Sequence, residues 1–337
     1  MASMTRERLG AIENGLKGKR IAVVGDLMID RYFWGSVHRV SPEAPVPVVE
    51  VDSESVRLGG AANVANNIAS LGGSPILVGL IGNDHEGTTL QEMAKDAGFD
   101  LRGIVVDGSR PTTVKTRVIA QNQHMVRIDT ESKADCPEHL VARLADAIRY
   151  NIHEIDGIII EDYNKGVVTA ELIELVTSVA RKYGKIVTVD PKFNHFLEYK
   201  HVTVFKPNRR EVEEVMGGRL KSDHEVASAG KRLLEALEAD NVLLTRGEEG
   251  MSLFEANGRV SHFPTTATIV QDVSGAGDTV ISTLTMALAA GADIHEACVL
   301  ANHAGGIVVG SVGIVPVNPR DLFAAVLQAA EAPTQVK

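Results

Sequence analysis

The sequence predicts an α/β fold: a mainly parallel central sheet with helices on both faces, from which a small β-sheet lid projects. Three observations carry that prediction. Short runs rich in β-branched residues alternate with amphipathic stretches. Those runs are apolar almost throughout, as strands buried on both faces are. Two further segments break the alternation with extended, period-two patterns.

In chain order, Lys19–Gly25 (KRIAVVG), Pro75–Ile81 (PILVGLI), Ile155–Ile160 (IDGIII), Lys185–Asp190 (KIVTVD) and Asn241–Thr245 (NVLLT) read as buried parallel strands. Ala170–Tyr183 and Ser228–Ala239 have helical periodicity. Residues 32–56, with Tyr32, Phe33, Trp34 and the proline-spaced PEAPVPVVEV, read as extended chain. Residues 112–129 (TTVKTRVIAQNQHMVRID) read as a hairpin turning near Gln121–Gln123. These two segments, 32–56 and 112–129, form the expected lid; 17–31, 57–111 and 130–330 form the expected main domain. Ala332–Lys337 is expected to fray.

At 337 residues and 44% hydrophobic, the chain can bury one large core or two modest ones. Aromatics are only 4%, so that core is built from aliphatic side chains. The 34 Lys and Arg residues against 44 Asp and Glu give 34 − 44 = −10, with no basic block, which excludes a nucleic-acid surface. Cys136 and Cys298 are far apart and lack metal-ligand spacing, as expected of reduced thiols in a cytoplasmic protein. Met1–Leu16 lacks the apolar core of a signal peptide, and no run approaches the roughly 20 apolar residues of a membrane helix.

The most informative stretch is Ser274–Ile281, SGAGDTVI. Gly275, Ala276 and Gly277 leave backbone N–H groups uncovered where a helix begins, and such a start attracts an anion. Asp278 places a carboxylate beside that seat. A simple phosphate loop gains nothing from an acid there, whereas a phosphoryl-transfer enzyme gains a base for the attacking hydroxyl.

Other motifs are weaker singly. In Arg57–Gly73 (RLGGAANVANNIASLGG), Gly59 and Gly60 admit a ligand to the backbone and Asn63 follows on the first helical turn, suited to a sugar diol; a packing turn fits equally. GxGxxG does not occur there. Asp26 and Asp30 close the first strand, where open α/β sheets keep ligands; one of the two is expected to cap a turn. Asn208 and Glu211 in KPNRRE suit a water-bridged Mg²⁺, although a plain helix cap is favoured on spacing alone. Thr245–Gly250 (TRGEEG) reads as a nucleotide-facing turn, and Asn302–Gly306 (NHAGG) as a place for adenine or a close helix contact. The 11 histidines show no metal-ligand pattern, and no GxSxG elbow is present.

GGAANVANNIASLGGSPILVGLIG and DVSGAGDTVISTLTMALAAG resemble the two signatures of the ribokinase-like (PfkB) carbohydrate kinases, from Lys19 to about Leu327. GDLMIDRYFWG, RVSPEAPVPVVEV, DYNKG, DPK and KPNRRE are similar to the heptose-7-phosphate kinases of the ADP-heptose pathway of lipopolysaccharide inner-core biosynthesis. The resemblance implies a ribokinase-like three-layer sandwich and ATP-dependent transfer to the anomeric hydroxyl of D-glycero-β-D-manno-heptose 7-phosphate. A monofunctional kinase is expected, since the adenylyl-transferring half of the bifunctional enzymes does not follow. The rivals are another sugar kinase, acting on fructose 6-phosphate or 2-keto-3-deoxygluconate, and a non-catalytic sugar- or nucleotide-binding regulator.

The resemblance also implies roles. Asp278 corresponds to the catalytic base and Gly275, Ala276 and Gly277 to the anion hole. Asp30, Gly59, Gly60, Asn63 and Asp162 correspond to sugar-binding positions, and Lys115 lies on the lid strand facing the sugar. Asn208 and Glu211 match a Mg²⁺/phosphate motif, Thr245, Gly247 and Asn302 fall in the nucleotide site, and Asp272 matches a monovalent-cation (K⁺) position. Met28 stands where relatives commonly have Asn, which speaks against ribose. For the 7-phosphate the cationic candidates are Lys115, Arg117, Arg127 and Lys192, with Arg117 and Arg127 expected to pair with lid acids such as Asp129 instead. An unpaired lid edge is expected to be covered by a second subunit, giving a homodimer.

Overall fold

A computed structural model describes residues 4–121, 123–311 and 313–331. The expected fraying segment Ala332–Lys337, and Asn122 within the expected hairpin turn, lie outside the described residues.

Nine strands form the main sheet: β1 (Arg20–Gly25), β4 (Ser74–Gly82), β5 (Asp100–Asp107), β8 (Gly157–Glu161), β9 (Ile186–Asp190), β10 (Val204–Phe205), β11 (Asn241–Thr245), β12 (Met251–Glu255) and β13 (Val260–Phe263). Their order is β13-β12-β11-β10-β9-β8-β1-β4-β5. Pairing is parallel from β5 to β11 and antiparallel for β12 and β13. All five runs read as parallel strands are present. β5 and the antiparallel pair β12 and β13 were not among those runs.

Alternate residues of β1 divide the core. Ile21 and Val23 pack in one cluster with α2 (Ala61–Ser70), α8 (Ala276–Ala289), α9 (Ile294–Val308) and α10 (Pro319–Glu331). Ala22 and Val24 pack in another with α4 (Glu138–Asn151), α5 (Ala170–Lys182) and α7 (Asp223–Leu237). Strand side chains alternate faces, so one apolar run serves both layers, which gives the three-layer sandwich.

The lid is a four-stranded sheet in the order β3-β2-β6-β7, from β2 (Leu27–Val40), β3 (Pro47–Gly60), β6 (Thr113–Ala120) and β7 (Gln123–Thr130). β6 and β7 form the antiparallel hairpin, turned at Gln121 with φ 52°. β2 pairs antiparallel with β3 and parallel with β6. β2 and β3 run without a break from the lid to the ends of the main-domain strands. They thereby bring Asp30, Gly59 and Gly60 to the lid's root.

Candidate active site

The site lies where the carboxyl ends of β1, β8 and β9 meet the N-termini of α2 and α8. Gly275 is the N-cap of α8 with φ 75°, a left-handed conformation that favours glycine. A Cβ there would lie 3.2 Å from Asn63 Nδ2 and 3.3 Å from Ile314 Cγ2. Gly60, with φ 54°, caps α2 in the same way, and its Cβ would meet the Asp26 carbonyl at 2.5 Å. Neither helix has a capping side chain; the N–H groups of Ala61 and Ala276 donate to the Asp26 and Val273 carbonyls at 3.1 and 3.3 Å, which leaves the N–H groups that follow them in each first turn for a ligand.

Asp278, in the first turn of α8, is only 5% exposed. Its Oδ2 accepts from Asn63 Nδ2 at 2.6 Å and its Oδ1 from the Tyr163 hydroxyl at 3.0 Å. Burial pushes its carboxyl up to about 6; the Asn63 hydrogen bond opposes this and the charge of Asp190 reinforces it. Tyr163 is held well above its ordinary value by burial and by the Asp278 charge, so it remains a donor. Thr279 Oγ1 to Asn67 Oδ1, at 3.0 Å, fastens α8 to α2 behind the pair.

Glu161, Asp190 and Asp278 each offer a carboxylate oxygen within 4.8 Å of the others, all buried. Lys206 Nζ pairs with Asp190 at 2.7 Å. Burial, then the charges of Asp190 and Asp278, hold the Glu161 carboxyl well above the usual range, and its Oε2 is buried without a hydrogen-bond partner. An orphaned carboxylate oxygen among oxygen donors fits a hard divalent cation. Glu211 fits less well. It completes a capping box with Asn208, accepting from the Asn208 N–H at 2.8 Å, and its other oxygen pairs with Lys192. The plain cap favoured by the spacing is therefore present, and a further set of oxygen donors lies at Glu161, Asp190 and Asp278.

Of Asp26 and Asp30, one caps a turn, as expected. Asp26 accepts from the backbone N–H groups of Tyr163, Lys165 and Val167 at 2.7, 3.1 and 3.2 Å and so shapes the DYNKG loop. Asp30 reaches the lid root, where it pairs with Arg117 and where a Cβ on Gly59 would lie 2.4 Å from its Oδ2. Arg127 pairs with Asp129 through two bonds of 2.9 Å, whereas Arg117 takes Asp30 rather than the expected lid acid. Lys115 Nζ lies 4.8 Å from the Tyr163 ring centroid; among the described residues it has no ion-pair partner, and burial lowers its pKa.

Four expected roles meet a different environment. The Asp162 carboxylate, 2% exposed, accepts from the Tyr199 hydroxyl at 2.8 Å and the Asn164 N–H at 2.7 Å, and so holds the loop. Lys192 is drawn to Glu211 and 5.5 Å from the Tyr163 ring; burial opposes its charge, but Asp190 and Glu211 raise its pKa. Asn302 donates Nδ2 to the Pro264 carbonyl at 2.7 Å, which fastens the chain after β13. Asp272 accepts from Ser274 N–H at 2.9 Å and Gly313 N–H at 3.0 Å, tying together the loops on either side of Gly275. Each of its oxygens thus takes one backbone donor. Thr245 forms a bridge with Asn208, which places those two nucleotide-turn candidates side by side, and a Cβ on Gly247 would meet open space.

Tyr163, Glu161, Asp190, Lys206 and Arg57 were not singled out from the sequence. Signals existed: Glu161 is a charge ending an isoleucine run, and Tyr163, Asp190 and Lys206 stand inside DYNKG, DPK and KPNRRE. Arg57 donates to the Ile314 carbonyl at 2.8 Å, and its guanidinium and that of Arg117 lie 5.5 and 5.2 Å from the Tyr32 ring centroid.

An anion seat beside a buried, doubly hydrogen-bonded carboxylate under a lid is an arrangement suited to phosphoryl transfer. The fold agrees. The structure of Arabidopsis thaliana ribokinase complexed with ribose and ATP matches with a TM-score of 0.72 and 18% identity over 92% of this chain and 99% of that one. The tetrameric inhibited form of Escherichia coli phosphofructokinase-2 matches at 0.74 and 18%, over 92% and 99%. The architecture is thus ribokinase-like, the class of fold to which the three layers and the lid belong.

Residues 19–320 match the pfkB family carbohydrate kinases, and the chain belongs to that family. It is a phosphotransferase acting on a sugar hydroxyl. It is 44% identical over 316 residues to the bifunctional protein HldE of Geobacter sulfurreducens, covering 94% of this chain and 64% of that one. The HldE of Helicobacter pylori is 44% identical over 295 residues, 88% of this chain and 64% of that protein. The chain spans about two thirds of the length of these curated relatives. Among the described residues no helix is long and apolar enough to cross a membrane.

Proposed function

We propose that this chain phosphorylates the anomeric C1 hydroxyl of D-glycero-β-D-manno-heptose 7-phosphate with ATP, yielding the 1,7-bisphosphate, in ADP-heptose and lipopolysaccharide inner-core biosynthesis. The observation that carries this reading is the 44% identity to HldE along 94% of the chain, DYNKG, DPK and lid included.

In this reading Asp278 removes the proton from the C1 hydroxyl as the γ-phosphoryl is transferred in line. The N–H groups of the Gly275–Gly277 turn receive the developing charge on the phosphoryl oxygens. One preorganised donor of this kind is worth about 3 kcal/mol of barrier. Asp30, Asn63 and the Gly59–Gly60 backbone orient the sugar. ATP lies along Asn208, Thr245 and Gly247. Mg²⁺, which would be held by Glu161 and Asp190 with the nucleotide's phosphates, offsets phosphate charge when bound.

For the 7-phosphate, the lid's inner face is the supported seat. Arg57, Asp30 and Lys115 stand in one row across β3, β2 and β6, and Ser55, Tyr32 and Arg117 in the next. Arg57, Lys115 and Arg117 outnumber Asp30, in a protein whose net charge is −10. Lys192, engaged by Glu211, stays on the nucleotide side. The lid, residues 32–56 and 112–129, acts as a subdomain that closes over the sugar and excludes water. A cytoplasmic homodimer formed through it completes the reading.

A phosphoryl-transfer assay on heptose 7-phosphate, fructose 6-phosphate and 2-keto-3-deoxygluconate, with the product's new phosphate located by NMR, tests it. Transfer to C1 of the heptose is expected to exceed the others by about 100-fold or more in kcat/KM, equivalent to roughly 2.7 kcal/mol. Preferential use of another sugar would move the chain to a different branch of the family.

A further inference from the structure

Both oxygens of the Asp278 carboxylate have a protein donor, and the two donors approach from different elements. Asn63 comes from the first turn of α2, and Tyr163 from the loop that follows β8. A carboxyl group turns easily about its last side-chain bond, whose torsional profile is broad. One tether leaves that rotation open, whereas tethers on both oxygens close it.

Tyr163 is itself held in place. Its backbone N–H donates to Asp26 Oδ2 at 2.7 Å. Lys115 of the lid and Lys192 of the DPK turn place their Nζ atoms 4.8 and 5.5 Å from its ring centroid. The residue is thus held at its backbone by Asp26 and flanked at its ring by two lysines, and its hydroxyl is the part that reaches Asp278. Each carboxylate oxygen accepts two hydrogen bonds, so one position on each remains for the acceptor sugar.

We propose that Tyr163 is a positioning residue: its hydroxyl fixes the plane of the Asp278 carboxylate so that the remaining lone pairs face the acceptor hydroxyl. This rests on Asp278 being the base. Misplacement of a reacting group by about 1 Å costs on the order of 100-fold in rate, and a carboxylate free to rotate is misplaced for much of the time.

The test is Tyr163→Phe, which removes one O–H and keeps the ring. The kcat is expected to fall about 10- to 100-fold, with KM for ATP and for the sugar phosphate each within about threefold of wild type and an unchanged melting temperature. Replacement of Tyr163 by 3-fluorotyrosine, which retains the O–H, is expected to restore most of the rate. A Tyr163 that only supports the loop would raise both KM values or lower the melting temperature. Wild type and Asp278→Asn are assayed alongside, with whichever sugar phosphate the wild type accepts. A wild type that ignores heptose 7-phosphate but uses another sugar refutes the substrate and leaves this test intact. An Asp278→Asn enzyme with wild-type turnover refutes the base and Tyr163 with it. With both controls as expected, a Phe variant within about threefold of wild-type kcat, or a fluorotyrosine enzyme no faster than it, overturns the positioning role.

Discussion

Asn63 Nδ2 lies 2.6 Å from Asp278 Oδ2, joining positions 215 residues apart in the chain. The two motifs that stand out in the sequence, GGAAN and GAGD, therefore meet tip to tip at two uncapped helix starts. Ser282 Oγ to the Val64 carbonyl, at 3.2 Å, and Thr279 to Asn67 continue the seam between α2 and α8. In the proposed reading one helix start serves the sugar and the other the phosphoryl group, with Asp278 as the base between them.

Removal of that base is the most direct prediction. Asp278→Asn keeps the shape of the side chain and can still accept from Asn63, with its amide N–H donating to the Tyr163 hydroxyl oxygen, but it cannot take a proton. A loss in kcat of about 100- to 10,000-fold is expected, with ATP affinity by calorimetry within about twofold of wild type. Retention of more than about a tenth of wild-type kcat would refute the assignment.

The pH dependence follows from the same residue. Burial raises Asp278 to about 6, and the base works only when ionised, so kcat should fall as pH drops through about 6. The stability effect has the opposite sense. The folded state holds this proton more tightly than the unfolded chain, so the group's contribution is complete below about pH 4 and is lost as pH rises through about 6. Asp278→Asn should therefore melt higher than wild type near pH 8, by up to roughly 2 kcal/mol in stability, and show no gain near pH 4. A gain equal at both pH values would exclude the ionisation as its source.

The anion seat is tested by Gly275→Ala. The φ of 75° costs a non-glycine residue about 1 kcal/mol, and the new methyl would press on Asn63 Nδ2 at 3.2 Å. A kcat loss of about tenfold or more is expected, against a fall in melting temperature of only a few degrees. Wild-type kcat in a correctly folded variant would show that this turn is not used in transfer.

How much of this was legible in the sequence varies with distance along the chain. The parallel strands announce themselves because burial on both faces forces uninterrupted apolar runs, as in IAVVG and IDGIII. The helix starts show because only small residues suit uncapped first turns. What is not legible is side-chain aim. DYNKG displays an acid and a tyrosine in succession, and Asp162 is the obvious candidate for a sugar. Yet backbone geometry turns Asp162 toward Tyr199 and Tyr163 toward Asp278. Lys192 and Glu211 look like two separate ligands, 19 positions apart, until the fold pairs them. Arg57 carried no local signal, because its role arises from cross-strand register with Asp30.

That change of aim separates two lysines. Lys115 lacks an ion-pair partner among the described residues and faces the site from the lid, while Lys192 is held by Glu211. Lys115→Ala should raise KM for the sugar phosphate about tenfold or more, consistent with loss of a charge-assisted contact, and leave KM for ATP within about twofold. Lys192→Ala should do little to the sugar KM and act on ATP instead. Steady-state titration of each substrate decides the matter, and an unchanged sugar KM in both variants would place the phosphate elsewhere.

The lid's outer face bears on assembly. β7 is an edge strand exposed along its whole length, and Val126 and Ile128, 50% and 54% exposed, share the face opposite Lys115 and Arg117 with Phe33 and Val118. An exposed apolar edge strand invites pairing with another chain, and a second copy of this lid would cover both edge and face. Val126→Asp with Ile128→Asp would bury two unpaired charges in such an interface, weakening association by several kcal/mol. Sedimentation velocity should report a dimer for wild type at micromolar concentration and a monomer for the variant, with melting by circular dichroism confirming that the variant is folded. A wild type that sediments as a monomer, or a variant that stays dimeric, would move the interface away from the lid.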